Sequence, residues 1–101
     1  MSIYVARTNN RPGLVKIGFT TYPRQRLVGL RRVVDRAIVF VALADGTIFH
    51  EHRLHNALKA HHLGGEWYPE GAEPVQSAVS EIAGAPGPFD LAVTNLPTRV
   101  C

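Results

Sequence analysis

The 101 residues support one domain, and at 46% hydrophobic they suit an ordinary globular protein with a modest core. A net charge of +3 permits a phosphate-rich partner without demanding one. No apolar run is long enough to span a bilayer and no secretory signal opens the chain. The lone Cys101 excludes an internal disulfide, which fits an intracellular setting.

Residues 2–7 are rich in β-branched and aromatic types and predict a strand. Asn9-Asn10 and Pro12-Gly13 then supply turn chemistry, and residues 14–19 predict a second strand, paired with the first as an antiparallel hairpin. Thr20-Thr21-Tyr22-Pro23 is a helix start, with a hydroxyl cap and a proline in the first turn. That helix is expected to reach Val33 or Val34. A central strand follows over 37–44, ended by Asp45-Gly46. A second helix is expected from Thr47 to about His62, stopped by Gly64-Gly65. Glu66 to Pro69 reads as a short extended piece and residues 73–83 as a third helix. The pattern is an α+β domain over 1–83, a three-stranded antiparallel sheet flanked by helices. Residues 84–101, with Pro86, Pro88 and Pro97, form an irregular tail in which Phe89 to Val93 are expected to dock along the sheet edge.

Five arginines (Arg24, Arg26, Arg31, Arg32 and Arg36) crowd the first helix and its end. On a helical wheel Leu27, Leu30, Val33 and Val34 make an apolar arc, and Arg26 falls inside it. On the second helix Ile48, Leu54 and Leu58 define the arc, and Glu51 falls inside that one, with His55 four residues on. A guanidinium cannot shed its charge, and a carboxylate on a core face must be paired, protonated or bound to a metal. An ion pair between Arg26 and Glu51 satisfies both; so does a functional site, where local rules tend to break. A zinc site is disfavoured, because Leu54 stands where the HExxH pattern of His50-Glu51 needs its second histidine.

These elements together resemble the GIY-YIG endonuclease superfamily, in its compact phage- and bacterial-type branch. Ser2-Ile3-Tyr4 resembles the GIY element and Lys16-Ile17-Gly18 the YIG element in a KIG form. Arg26 and Glu51 fall where that family has its catalytic arginine and metal-binding glutamate. His55 and Gly65-Glu66-Trp67-Tyr68 match further features of the branch. The resemblance covers residues 2–69. It departs at Ser2, which replaces a glycine, and at Lys16, which replaces the tyrosine used as a base.

The resemblance implies metal-dependent hydrolysis of DNA, most simply double-stranded, in the cytoplasm of a bacterial or phage-infected cell. Tyr4, Lys16, Arg26, Glu51 and His55 would be the catalytic residues, with Glu51 holding one Mg²⁺ or Mn²⁺. Arg26 would bind a non-bridging phosphate oxygen, and His55 would orient water or support Glu51. The ammonium of Lys16 would lower the pKa of Tyr4 and let the phenolate activate water. Arg24, Arg31 and Lys59 would contact the phosphate backbone without reading sequence. One small domain binds weakly, so a homodimer or targeting partner is expected. The alternatives are a non-catalytic module that binds nucleic acid or protein, and a structural protein in which Arg26 and Glu51 are a buried ion pair.

Overall fold

The computed structural model describes residues 1–46, 48–61, 66–84 and 91–97, apart from the side chains of 48–51. The order is β1 (Ser2–Arg7), β2 (Leu14–Thr20), α1 (Pro23–Val33), β3 (Val39–Asp45), α2 (Ile48–Leu58), a 3₁₀ turn (Lys59–His61), β4 (Trp67–Pro69), α3 (Glu73–Gly84) and a single turn, α4 (Leu91–Thr94). The architecture is α+β, as expected, but the antiparallel sheet has four strands, ordered β3-β1-β2-β4. The short extended piece supplies the fourth: Tyr68 pairs with Val15 and Trp67 with Lys16.

Strand alternation sends successive side chains to opposite faces. Ile3, Val5, Val15 and Ile17 meet Leu54 and Leu58 of α2 and Val75, Ala78 and Ile82 of α3 on one face. Tyr4, Ala6, Phe40 and Trp67 meet Leu27 and Leu30 of α1 on the other. Each large apolar side chain buried this way contributes about 1.5–3 kcal/mol against exposure. A β-bulge between Val5 and Ala6 shifts the register with β3.

Helix α1 opens as its sequence predicts, with Pro23 in the first turn and the Tyr22 N–H donating to Thr20 Oγ1 at 3.1 Å. Its buried face differs from the expected arc. Pro23, Leu27 and Leu30 are buried and Val34 half-buried, whereas Val33 is 85% exposed. Arg26 is therefore not a core residue. It lies about 70° from the centre of the buried face, at its rim, and is exposed. Position 33 lies on the same flank, where a valine meets solvent.

The tail contains a helical turn, and α4 docks on α1. Arg24 Nη1 donates to the carbonyls of Val93 and Thr94 at 3.0 and 2.9 Å. Arg31 donates to those of Asn95, Leu96 and Ile38 at 3.0, 2.8 and 3.1 Å. Asn95 completes the junction on the outer edge of β3. Its Oδ1 accepts from the Phe40 N–H at 2.9 Å and its Nδ2 donates to the Phe40 carbonyl at 2.6 Å, a side chain acting as a strand partner. Phe40 is almost fully buried, so Asn95→Ala is expected to leave its backbone unpaired and cost about 1–3 kcal/mol. Urea unfolding measures this; an unchanged midpoint would show that the junction is not stabilising. Phe89, part of the expected docking segment, lies outside the described residues.

Candidate functional site

Helices α1 and α2 both start from one end of the sheet, where Ser2 pairs with Thr20 and with Asp45. Tyr4 and Gly18 are direct partners near that end, and the Tyr4 ring lies across the glycine. A Cβ at Gly18 would sit 2.5 Å from Tyr4 Cζ, nearer still to Tyr4 Oη, and 2.8 Å from Glu66 Oε2. The absent side chain is what lets a phenol and a carboxylate share the space above β2. Lys16 points to the same face, its Nζ 3.6 Å from Glu66 Oε2. Arg26, reaching in from the rim of α1, acts electrostatically on both Tyr4 and Lys16. Trp67 floors the group, with Arg11 Cζ 4.7 Å and Lys16 Nζ 5.5 Å from its ring centre, both within cation–π range.

The structure thus gathers Tyr4, Lys16 and Arg26, three of the five residues expected to be catalytic. It puts His55 elsewhere. That residue is exposed on α2, stacks with Phe19 at 6.3 Å, and borders a small hollow on the opposite face of the sheet. The backbone of Glu51 lies near the start of α2, at the same end of the sheet as Arg26; its side chain is outside the described residues. Of the expected phosphate contacts, Arg24 and Arg31 donate instead to backbone carbonyls of the tail, so they act as clamps in this conformation. Lys59 is exposed in the turn after α2.

Glu66 and Arg11 are the members that sequence reasoning gave no role. Glu66 stands in the motif before Trp67, and the signal for it was positional: an acidic residue opening a strand that pairs with Lys16. Its backbone has φ 70, a left-handed conformation uncommon outside glycine, and its carbonyl accepts the Ile17 N–H at 3.1 Å.

The electrostatics reverse the expected roles. Tyr4 is fully buried, and its pKa is pushed up from 10.0 to about 12, first by burial and then by the Glu66 carboxylate, with Arg26 opposing. Its hydroxyl makes no well-formed hydrogen bond among the described residues. Lys16 does not activate Tyr4. Lys16 is itself lowered by burial, with Arg26 and Arg11 acting in the same direction and Glu66 opposing.

Tyr4→Phe is expected to change stability by no more than about 1 kcal/mol at pH 7, because the hydroxyl interacts with the Glu66 carboxylate without a well-aligned hydrogen bond. The alkaline behaviour follows from linkage. The unfolded tyrosine loses its proton near 10 and the folded one at about 12, so wild-type stability falls as pH rises across that window and is unaffected below it. Tyr68, also raised by burial, adds a loss of the same sign. The variant should lose less stability than wild type between those values; equal loss in a denaturation series would contradict the assignment.

Among the described residues no three His, Cys, Asp or Glu side chains converge on a metal-binding point. The acidic positions at this end of the sheet are Asp45, exposed at the end of β3, and Glu51, near the start of α2, whose side chain lies outside the described residues. One carboxylate completed by water and substrate phosphate fits a hard divalent cation. No helix among the described residues is long and apolar enough to cross a membrane.

No curated protein and no solved structure matches the chain significantly. The family model of the T5orf172 domain does, over residues 1–83, a span that holds every member of the cluster and stops short of the docked tail. The chain belongs to the T5orf172 domain family, a phage-associated domain related to GIY-YIG- and HNH-like nucleases.

Proposed function

We propose that this chain is a metal-dependent endonuclease that hydrolyses phosphodiester bonds in DNA. The observation that carries the reading is the convergence of Tyr4, Lys16, Arg26 and Glu66 beside Gly18. Arg26, exposed and charged, would hold a non-bridging oxygen and offset charge that builds in the transition state. Lys16 would add a second positive charge from within the sheet, and the buried Tyr4 would pack behind the Glu66 carboxylate and hold it in place. Arg11, at the hairpin loop over Trp67, would extend the cationic surface along the backbone of a duplex. Glu51 would hold Mg²⁺ or Mn²⁺, and the ion when bound would polarise the phosphate. A second copy or a targeting partner would supply the selectivity that a few phosphate contacts cannot.

A second reading is favoured by one observation. The Tyr4 hydroxyl keeps its proton until about pH 12, so the group expected to activate water does not do so at neutral pH. In that reading the same cluster binds nucleic acid without cutting it.

Supercoiled plasmid incubated with the protein and Mg²⁺ or Mn²⁺ separates the two. The nuclease reading predicts nicked circles that EDTA suppresses and Glu51→Ala abolishes. Retention of DNA in a gel shift with no nicking in either metal would establish the binding module instead.

A further inference from the structure

We propose that Glu66 is the proton acceptor for the attacking water at this site. The inference rests on the nuclease reading above and names the base that reading lacks. Three polar groups border the space over Gly18: Tyr4 Oη, Glu66 Oε2, and Lys16 Nζ, 3.6 Å from that carboxylate oxygen. A base must be unprotonated at working pH and must reach water. Tyr4 meets neither requirement, being fully buried and protonated to about pH 12. Lys16 is buried and ion-paired to Glu66, so it does not reach water. Glu66 reaches water, its side chain being 42% exposed, and a carboxylate is an ordinary proton acceptor in hydrolysis.

The backbone supports a functional reading of this residue. A glutamate at φ 70 occupies a left-handed conformation that is unfavourable for any residue with a side chain. Its carbonyl is tied to Ile17 of β2, so the cost is met by the sheet and the carboxylate is delivered to one place. Strain of this kind gathers where a side chain is needed for chemistry. Around the carboxylate stand Lys16 from β2 and Tyr4 from β1, and Arg26 from α1 acts electrostatically on both.

In the step, an O–H bond of water breaks and its proton passes to Glu66 Oε2 as the water oxygen bonds to phosphorus. The bond from phosphorus to the leaving sugar oxygen breaks. That oxygen keeps the electron pair and takes a proton from solvent, and Glu66 then returns its own proton to solvent.

The test uses Glu66→Gln and Glu66→Gly, the latter suited to the left-handed backbone. Both variants should retain plasmid in a gel shift as wild type does, and nick it about 100-fold more slowly or worse. Formate, a small exogenous carboxylate, should restore Glu66→Gly by about tenfold or more and leave Arg26→Ala unchanged. An ion-pair role alone would not respond to formate. Nicking by Glu66→Gln at the wild-type rate overturns this assignment and leaves the nuclease reading standing, and so does a loss that formate fails to restore. Wild-type protein that binds without nicking overturns both.

Discussion

Gly18→Ala is expected to abolish the site and to destabilise the fold at once. The new methyl would sit 2.5 Å from Tyr4 Cζ and 2.8 Å from Glu66 Oε2. Tyr4 does not yield cheaply, whereas the part-exposed Glu66 carboxylate can swing aside. Tyr4 is fully buried and stacked on Phe40 at 4.7 Å between ring centres, and Phe40 is held from behind by Asn95. Glu66 is fixed at its backbone by Ile17. Overpacking against such a wall costs about 1–3 kcal/mol. A domain of this size then melts lower by roughly 4–8 °C per kcal/mol. The loss of nicking should be larger than the melting shift explains, about 100-fold at a temperature where the variant is still folded, because an ångström of misplacement is enough. Thermal melts and nicking rates on one preparation check both parts. A variant of wild-type stability and rate would mean that Tyr4 and Glu66 need not hold these positions for cleavage.

Arg26→Ala should show the opposite balance. The side chain is exposed at the rim of α1, so stability should change by no more than about 0.5 kcal/mol. The nicking rate should fall by about 10²–10³, the cost of losing one charge-stabilising donor at a transition state. Arg26→Lys should recover only part of this, since an ammonium lacks the fork that grips two oxygens. If Arg26 were instead one half of a buried ion pair, its removal would cost about 3–5 kcal/mol and the melt would reveal it.

The elements that position this site were legible because each has a local cause. Alternation over residues 2–7 and 14–19 predicts β1 and β2, the turn residues between them fix the hairpin, and Pro23 marks the start of α1. What was not legible depends on distant partners. Trp67–Pro69 is too short for a period to show, and it becomes a strand only because β2 offers a free edge. The wheel put Val33 and Arg26 in the core because it weights every apolar residue equally; the packed face is set by Leu27, Leu30 and Val34 against the sheet, and position 33 falls outside it. Arg24 and Arg31 read as a phosphate-binding run, yet their acceptors are carbonyls far along the chain. The pairing of Asn95 with Phe40 has no sequence signature at all.

The site itself divides the same way. Tyr4, Lys16 and Arg26 follow from strand register and helix phase, so their meeting could be anticipated. The state of Tyr4 could not. Lysine was expected to lower it, but burial dominates and Glu66, a residue with no assigned role, raises it further. His55 shares a helix with Glu51, which suggested a shared site. The helix packs with Leu54 and Leu58 against the face away from Tyr4, and His55 goes with them.

NMR mapping of a short DNA duplex onto the folded protein decides which face of the sheet meets the phosphodiester. The Gly18 amide and the Trp67 indole N–H should shift on titration, while Phe19 and His55 on the opposite face stay in place. Shifts confined to Phe19 and His55, with Gly18 and Trp67 unmoved, would contradict a site built from Tyr4, Lys16, Arg26 and Glu66.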